Sequence, residues 1–138
     1  MSKKSATAKT IDAFQLAGFR IEKVEQWVPN PKHPAGGVRR DYLGVIDLLA
    51  IRPGLIVGVQ STTGNGVSDH LKKIEGSKRG REWIEAGGIL VMLAWRKLKV
   101  DGKSVDRPRI FRFRVEGNTI AWDEYANFRE SIPEMIKP

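Results

Sequence analysis

The chain of 138 residues contains no cysteine and only two histidines. Without cysteine it cannot form disulfides, zinc–thiolate sites or a thiol nucleophile, and this composition fits an intracellular protein. No apolar run approaches the roughly 20 residues needed to cross a bilayer, and the N-terminal segment lacks the hydrophobic stretch of a signal peptide. The sequence also lacks a complete Gly-x-x-x-x-Gly-Lys-Ser/Thr loop and a Gly-x-Ser-x-Gly elbow, which argues against P-loop and serine-hydrolase chemistry.

Positive charge is what the chain has in excess, with 24 Lys and Arg against 16 Asp and Glu and a formal net charge of +8. Such an excess favours polyanionic partners. The basic residues cluster at Lys72–Lys73, at Lys78–Arg81 and beyond Arg96. We therefore expect nucleic acid as the partner. The length and the hydrophobic content of 41% predict one folded domain over residues 1–138.

The first half of the chain predicts one helix followed by three strands. Alternation and apolar runs place a helix at 7–17, a strand at 19–28, a loop at 29–37, and strands at 44–51 and 55–59. The last two strands are joined by the tight turn Arg52–Gly54, so they should form an antiparallel hairpin.

The second half predicts a crossover helix and further strands. A helical segment at 69–86, broken near Gly76 or Gly80 and capped by Ser68 or Asp69, precedes a strand at 89–95. A polar loop at 99–108, strands at 109–115 and 119–122, and a helix from 123 to Pro133 follow. The order α-β-β-β-α-β-β implies a parallel crossover and an α/β or α+β class with a mixed sheet.

Asp47 is the most informative residue, because it interrupts the apolar run Gly44–Ile51. Burying an unpaired carboxylate costs several kcal/mol, so a buried carboxylate often has a cation as its partner. The next run ends in the polar segment Gln60–Thr63, and the hairpin should bring Gln60 and Asp47 to one edge of the sheet. Oxygen ligands suit Mg²⁺. The sequence therefore predicts a cation site at this edge, and an aspartate bonded to backbone amides is the alternative.

This arrangement resembles the PD-(D/E)xK nuclease superfamily, in particular its small phage, Holliday-junction resolvase-like and VRR-NUC-type members. That family has an α-β-β-β-α-β core with an aspartate on the second strand and a Glu/Gln-x-Lys triplet on the third. Gly44–Asp47 and Val57–Thr62 stand at those places, and Val38–Asp41 and Ala86–Val91 add to the likeness. The resemblance covers about residues 7–95, which leaves 96–138 as C-terminal strands and a helix.

The resemblance implies a restriction-endonuclease-like core and a metal-dependent DNA endonuclease that acts on branched or structured DNA as a homodimer. Asp47, Gln60 and the Ser61 carbonyl would hold Mg²⁺ or Mn²⁺, and a water activated there would attack the phosphodiester in line. Glu25 is a further acidic candidate, because Glu22 and Glu25 should face opposite sides of one strand.

The family's lysine is missing, since Thr62 stands in its place. Either Lys72 or Lys73 on the following helix supplies the positive charge, or the site is impaired. The residues expected to contact DNA phosphates are Arg39, Arg40, Lys72, Lys73, Lys78, Arg79 and Arg81.

Several alternatives stay open at this point. Asp41 is either a metal ligand or an ion-pair partner of Arg39 or Arg40, with the pair favoured, and Asp12 is more simply a surface charge. The protein is either an enzyme, a catalytically impaired DNA-binding module on the same scaffold, or a protein-interaction subunit. Strand 89–95 and the tail beyond Trp122 are candidates for a dimer surface. The expected location is the cytoplasm of a bacterial or archaeal host, with a phage-encoded origin also open.

Overall fold

The computed structural model describes residues 4–128 and 131–132. The helices are Ala6–Leu16 (α1), Val67–Glu75 (α2) and Lys78–Glu85 (α3), with a 3₁₀ turn at Gly64–Gly66. The strands are Arg20–Lys23 (β1), Gln26–Pro29 (β2), Gly37–Arg40 (β3), Leu48–Arg52 (β4), Leu55–Thr63 (β5), Ile89–Val100 (β6), Lys103–Glu116 (β7) and Thr119–Tyr125 (β8).

Six strands form one mixed sheet in the order β1-β4-β5-β6-β7-β8, while β2 and β3 form a separate two-stranded ribbon. Within the large sheet β5 and β6 run parallel, and the other neighbours are antiparallel. The connection from β5 to β6 runs through α2 and α3. The predicted mixed sheet, the hairpin at 52–54 and the parallel crossover are therefore confirmed.

Helix α1 covers one face of the sheet. The Ser5 hydroxyl accepts a hydrogen bond from the Ala8 amide and caps its start. The helix ends at Leu16 and is followed by Gly18, whose φ of +87° suits the left-handed position after a helix. The next amide, of Phe19, donates to the Phe14 carbonyl. Phe14 is fully buried against Leu48 and Val59 of the sheet.

Helices α2 and α3 cover the opposite face. Gly76 ends α2, and the Ser77 hydroxyl accepts from the Gly80 amide to cap α3, so the predicted break near Gly76 is confirmed. The N-cap of α2 is Gly66, so the predicted cap at Ser68 or Asp69 is wrong. The buried residues of this second core include Ile46, Leu71, Ile74, Met92, Phe111 and Phe113.

Two predicted elements have the wrong boundaries. The strand predicted at 19–28 is two strands in different sheets, because the chain leaves the large sheet after Lys23 and pairs with β3 from Gln26. The loop predicted at 99–108 is instead a continuous hairpin of β6 and β7, closed by a turn at Asp101–Gly102.

The C-terminal part also differs from expectation. Strand β8 continues to Tyr125, so the segment 123–125 is not helical. Phe128, Ser131 and Ile132 are helical, as predicted, while residues 129–130 and 133 of the predicted helix lie outside the described residues. The residues 89–94 are buried in the middle of the sheet between β5 and β7, which excludes them as a dimer surface. Among the described residues no helix has the length and apolar character needed to cross a membrane.

Candidate metal centre

The sequence predicts Asp47 in the middle of a strand, and this prediction is wrong. Asp47 lies immediately before β4, which begins at Leu48. Its backbone is nevertheless fixed on both sides. The Asp47 amide donates to the Val59 carbonyl on β5, and the Asp47 carbonyl accepts from the Val24 amide just beyond β1. Asp47 is therefore held between Val24 and Val59, toward the end of the sheet at which β5 finishes.

A tight turn folds Asp41 back toward Asp47. The backbones of Tyr42 and Ile46 exchange both hydrogen bonds, and Leu43 and Gly44 between them have φ values of 55° and 76°. A left-handed conformation costs a non-glycine residue about 1–2 kcal/mol. The turn concentrates negative charge, because Asp41 and Asp47 stand at its two ends.

The Asp47 carboxylate has few donors for its burial. Both of its oxygens accept from one group, the Ser61 amide, at 3.2 and 3.3 Å. Burial raises the pKa of Asp47 from 3.8 to about 7, against the lowering effect of the Ser61 amide. The negative charges of Asp41 and Glu25 contribute to this rise in pKa. Asp47 is therefore a partly buried carboxylate near two others, and burial disfavours its ionised form.

Gln60 adds a second oxygen at the same place. It lies on β5 between Val59, whose carbonyl accepts from the Asp47 amide, and Ser61, whose amide donates to the Asp47 carboxylate. Gln60 is only 4% exposed, and its Oε1 is buried with no hydrogen-bond partner among the described residues. Leaving a buried acceptor unsatisfied costs about 1–3 kcal/mol. An orphaned oxygen next to an uncompensated carboxylate fits the oxygen ligands of a hard divalent cation.

The side chain of Ser61 is committed to the core rather than to the site. Thr10 Oγ1 donates to the Ala6 carbonyl and accepts from the Trp95 indole nitrogen, so the Ser61 hydroxyl donates to Thr10 at 2.8 Å. The Ser61 amide already binds Asp47. The carbonyl of Ser61 is the group that the resemblance implies as a cation ligand, and this role stays a prediction.

Among the described residues, Lys73 is a cation that the fold brings close to Asp41. Its Nζ lies 3.9 Å from Asp41 Oδ2, whereas the expected partner of Asp41 was Arg39 or Arg40. Lys72 is exposed on the same helix and makes no ion pair with a described residue. Thr62 is partly buried near the end of β5. Of the two lysines expected to supply positive charge, Lys73 therefore forms an ion pair with Asp41, and Lys72 forms none with a described residue.

The remaining predicted DNA contacts are dispersed. Arg40 is exposed on the β2–β3 ribbon, beside Arg39 in the same strand, and Lys78 and Arg79 are exposed at the start of α3. Arg81 differs from them, because its guanidinium donates to the Asn118 carbonyl and pairs with Glu85 at 3.2 Å.

The other acidic candidates, Asp12, Glu22 and Glu25, differ in how close they lie to Asp47. Asp12 pairs with Lys4 on the exposed side of α1, as a surface charge would. Glu22 is exposed and lies 3.8 Å from Arg20. Glu25 follows the end of β1 and is close enough to act on Asp47, so it is nearer the site than Glu22.

The site is neither a deep pocket nor a cluster of acidic and imidazole ligands. A cavity of about 990 Å³ lies on the α1 face between Leu16, Arg52, Leu98 and Phe128, and none of the candidate site residues lines it. Within residues 4–128 and 131–132 no three His, Asp or Glu side chains are placed to hold a metal together. The donor set that the fold offers is one carboxylate, one amide oxygen and one backbone carbonyl, with Asp41 and Glu25 nearby.

Asp41, a candidate for either a metal ligand or an ion-pair partner, lies close enough to Asp47 to add to the effect of burial in raising the pKa of that residue. The glycine at position 44 was the available signal, since Asp41-x-x-Gly44 before an apolar run is typical of a turn. A comparison of the chain with protein-family models, with curated proteins and with solved structures gave no match in any of the three.

Proposed function

We propose that the protein is a metal-dependent DNA endonuclease of the PD-(D/E)xK type, with Asp47, Gln60 and the Ser61 carbonyl as ligands of Mg²⁺ or Mn²⁺. One observation carries the proposal. The buried Oε1 of Gln60 has no partner among the described residues, and it lies on the strand beside Asp47, whose ionised form is also poorly compensated. A divalent cation would satisfy both groups at once.

The order of the elements supports the restriction-endonuclease-like scaffold. Without the β2–β3 ribbon, the elements come along the chain in the order α1, β1, β4, β5, α2 with α3, and β6. This is the α-β-β-β-α-β order of that family. Asp47 leads into the second of these strands and Gln60 lies on the third. On this scaffold the β2–β3 ribbon is an insertion between the first and second strands of the core.

The chain's own residues would act mainly through charge. A bound divalent cation would polarise a phosphoryl oxygen and lower the pKa of a coordinated water. Asp47 would contribute its negative charge, and the cation would lower the pKa of Asp47 again. In the hydrolysis the water oxygen bonds to phosphorus while one ester bond from phosphorus to oxygen breaks, and the leaving oxygen takes up a proton. Lys73 would offset the charge that builds up on the phosphate.

The resemblance extends the proposal to the substrate and the assembly. Resolvase-like relatives in this superfamily act on branched DNA, and cutting two strands symmetrically calls for a homodimer. The net charge of +8 supports a polyanionic substrate in either case.

A DNA-binding module without activity is the second candidate. Thr62 stands at the lysine position, and Lys73, the nearest cation, already lies beside Asp41. No ion pair to Asp47 is formed by any described lysine or arginine. This candidate predicts binding without cleavage, so it differs from the first in one measurable respect.

The test is cleavage of plasmid, flap and four-way-junction DNA in the presence of Mg²⁺ or Mn²⁺. We expect the protein to cut, with branched DNA preferred, and Asp47→Asn to lose cleavage while still binding DNA. Asp12→Asn is the matched control, because it removes an exposed carboxylate on α1 and should cut normally.

Two results would change the assignment. If the protein binds all three DNAs but cuts none with either cation, the inactive module is correct. If Asp47→Asn cuts as fast as the unmodified protein, the active site lies elsewhere in the chain.

A further inference from the structure

The hairpin of β6 and β7 extends beyond the rest of the sheet. Strand β5 pairs with β6 only as far as Thr63↔Trp95, and β8 pairs with β7 only from Ile110↔Tyr125. Residues 96–107 therefore pair only with each other, from Arg96↔Arg107 to Val100↔Lys103, and we call them the arm. Five residues per strand at about 3.3 Å each give the arm a length of about 16 Å.

The arm is closed by a turn of defined geometry. Asp101 and Gly102 have φ values of 52° and 78°, and two consecutive positive φ angles are the signature of a type I′ hairpin turn. Such a turn follows the natural twist of the two strands. The arm is therefore a regular two-stranded ribbon, not an irregular loop.

The arm carries a concentration of exposed positive charge. It has five cations, all exposed, and two carboxylates. The cations are Arg96, Lys97, Lys99, Lys103 and Arg107. One of the carboxylates, Asp106, is already compensated by Lys9 of α1 at 3.3 Å. None of the five cations forms an ion pair with a carboxylate of the described residues. Besides Arg109, Arg96 lies close enough to Glu124 to lower the pKa of that carboxyl group, and the charge of the other four cations is available to an external polyanion.

These cations project from both faces of the ribbon. Residues directly opposite in an antiparallel pair share a face, and successive residues alternate between faces. Lys97 and Lys99 therefore lie on one face, while Arg96, Lys103 and Arg107 lie on the other. Cations on two faces suit a site bounded by phosphates on two sides better than they suit a flat anionic surface.

The arm extends from the same end of the sheet at which the candidate metal centre lies. Strands β5 and β6 are parallel, and Gln60 lies opposite Met92. The arm begins four residues after Met92, which corresponds to about 13 Å further along the strand direction. Both features therefore lie toward the same end of the sheet, where one nucleic acid can contact them together.

We propose that the arm inserts into the major groove of B-form duplex DNA and holds the duplex against the sheet edge of Asp47 and Gln60. This inference rests on the proposed nuclease function and adds the element that binds the substrate. The major groove of B-DNA admits a two-stranded β-ribbon, whereas the major groove of A-form RNA is deep and too narrow for side chains to read. The partner is therefore duplex DNA and not duplex RNA.

The test measures binding to a DNA duplex and to an RNA duplex of the same sequence by fluorescence anisotropy over a series of salt concentrations. EDTA is present, so cleavage plays no part. The arm variant carries Lys97→Gln, Lys99→Gln and Lys103→Gln. Its control removes the same charge away from the arm through Lys4→Gln, Arg20→Gln and Lys32→Gln, all at exposed residues. Thermal melting verifies that each variant is folded.

We expect the unmodified protein to prefer the DNA duplex. In a plot of log binding constant against log salt, the slope should become shallower by about 0.9 for each phosphate that is no longer neutralised, hence by about 2–3 in the arm variant. The control should change the slope by less than one unit, by roughly the same rule. If the triple variant does not fold, Lys99→Gln alone should reduce the slope by about 0.9.

Failure of the arm and failure of the nuclease give different results. Equal slopes for the arm variant and the unmodified protein, or equal affinity of the unmodified protein for DNA and RNA, would overturn the inference whether or not cleavage occurs. If the arm variant binds more weakly as expected but the unmodified protein cuts no DNA with Mg²⁺ or Mn²⁺, the arm is upheld and the nuclease proposal fails.

Discussion

Replacing Asp47 by asparagine should make the metal-free protein more stable at alkaline pH, although it removes a residue of the proposed active site. The reason is that burial raises the pKa of Asp47 from 3.8 to about 7, with smaller contributions from Asp41 and Glu25. Above pH 7 the carboxyl group is ionised in both states of the protein, but the folded state has to accommodate that charge with backbone amides as donors, chiefly the amide of Ser61.

The pKa shift determines the size and the sign of the effect. A pKa raised from 3.8 to about 7, at about 1.4 kcal/mol for each pH unit, amounts to about 4 kcal/mol. Because the folded-state pKa is the higher one, the free energy of unfolding of the unmodified protein is highest below about pH 4. It falls by this amount as the pH rises to about 7. Asparagine avoids the charge but leaves an amide donor to satisfy, at about 1–3 kcal/mol. The expected net gain at about pH 8 is therefore about 1–3 kcal/mol.

Urea unfolding of the protein and of Asp47→Asn in EDTA, at about pH 8 and about pH 5, measures this difference. The variant should be the more stable protein at the higher pH, and its advantage should shrink at the lower pH. Asp12→Asn, at an exposed ion pair, should change the free energy of unfolding by at most about 0.5 kcal/mol at either pH. The reasoning is refuted if Asp47→Asn is no more stable than the unmodified protein at about pH 8, or if its advantage is the same at both pH values.

Three further predictions follow from the same geometry. Gln60→Leu should raise the stability of the metal-free protein by about 1 kcal/mol, since it removes an unsatisfied buried oxygen. Mn²⁺ should no longer raise the melting temperature of this variant. A melting temperature that still rises with Mn²⁺ would exclude Gln60 as a ligand. Lys73→Ala should slow DNA cleavage more than Lys72→Ala, because only Lys73 lies beside Asp41; full cleavage rates in both variants would eliminate the idea of a displaced lysine. Gly58→Ala should destabilise the protein by about 1–3 kcal/mol in urea unfolding, because the new Cβ would lie 2.5 Å from the Ile46 side chain; an unchanged midpoint would show that Ile46 moves aside freely.

The central part of the fold could be predicted from the sequence because its signals are local and agree with one another. The run Ile89–Trp95 is apolar throughout, as a strand covered on both faces must be, and it forms the first part of β6. Gly18 and Gly76 end helices at the expected places. The turn at Arg52–Gly54 determines the hairpin, so the sequence alone was enough to assign Asp47 and Gln60 to neighbouring positions.

Other features depend on tertiary contacts or on turn conformation. The chain leaves the large sheet between Lys23 and Gln26 without a glycine or proline to mark the change. The start of β4 is delayed because Leu43 takes a left-handed conformation, which its residue type does not predict. The arm could have been found, since Asp101–Gly102 is a strong signal for a type I′ hairpin, but the polar residues on either side favoured a loop.

The most direct measurement is a crystal structure of the protein grown or soaked with Mn²⁺, with the cation located by its anomalous scattering. The account predicts one Mn²⁺ bound by an Asp47 carboxylate oxygen, Gln60 Oε1 and the Ser61 carbonyl, at about 2.0–2.3 Å from each. A Mn²⁺ ion bound elsewhere in the chain, or an Asp47 side chain that stays on the Ser61 amide with no cation beside it at saturating Mn²⁺, would contradict the account.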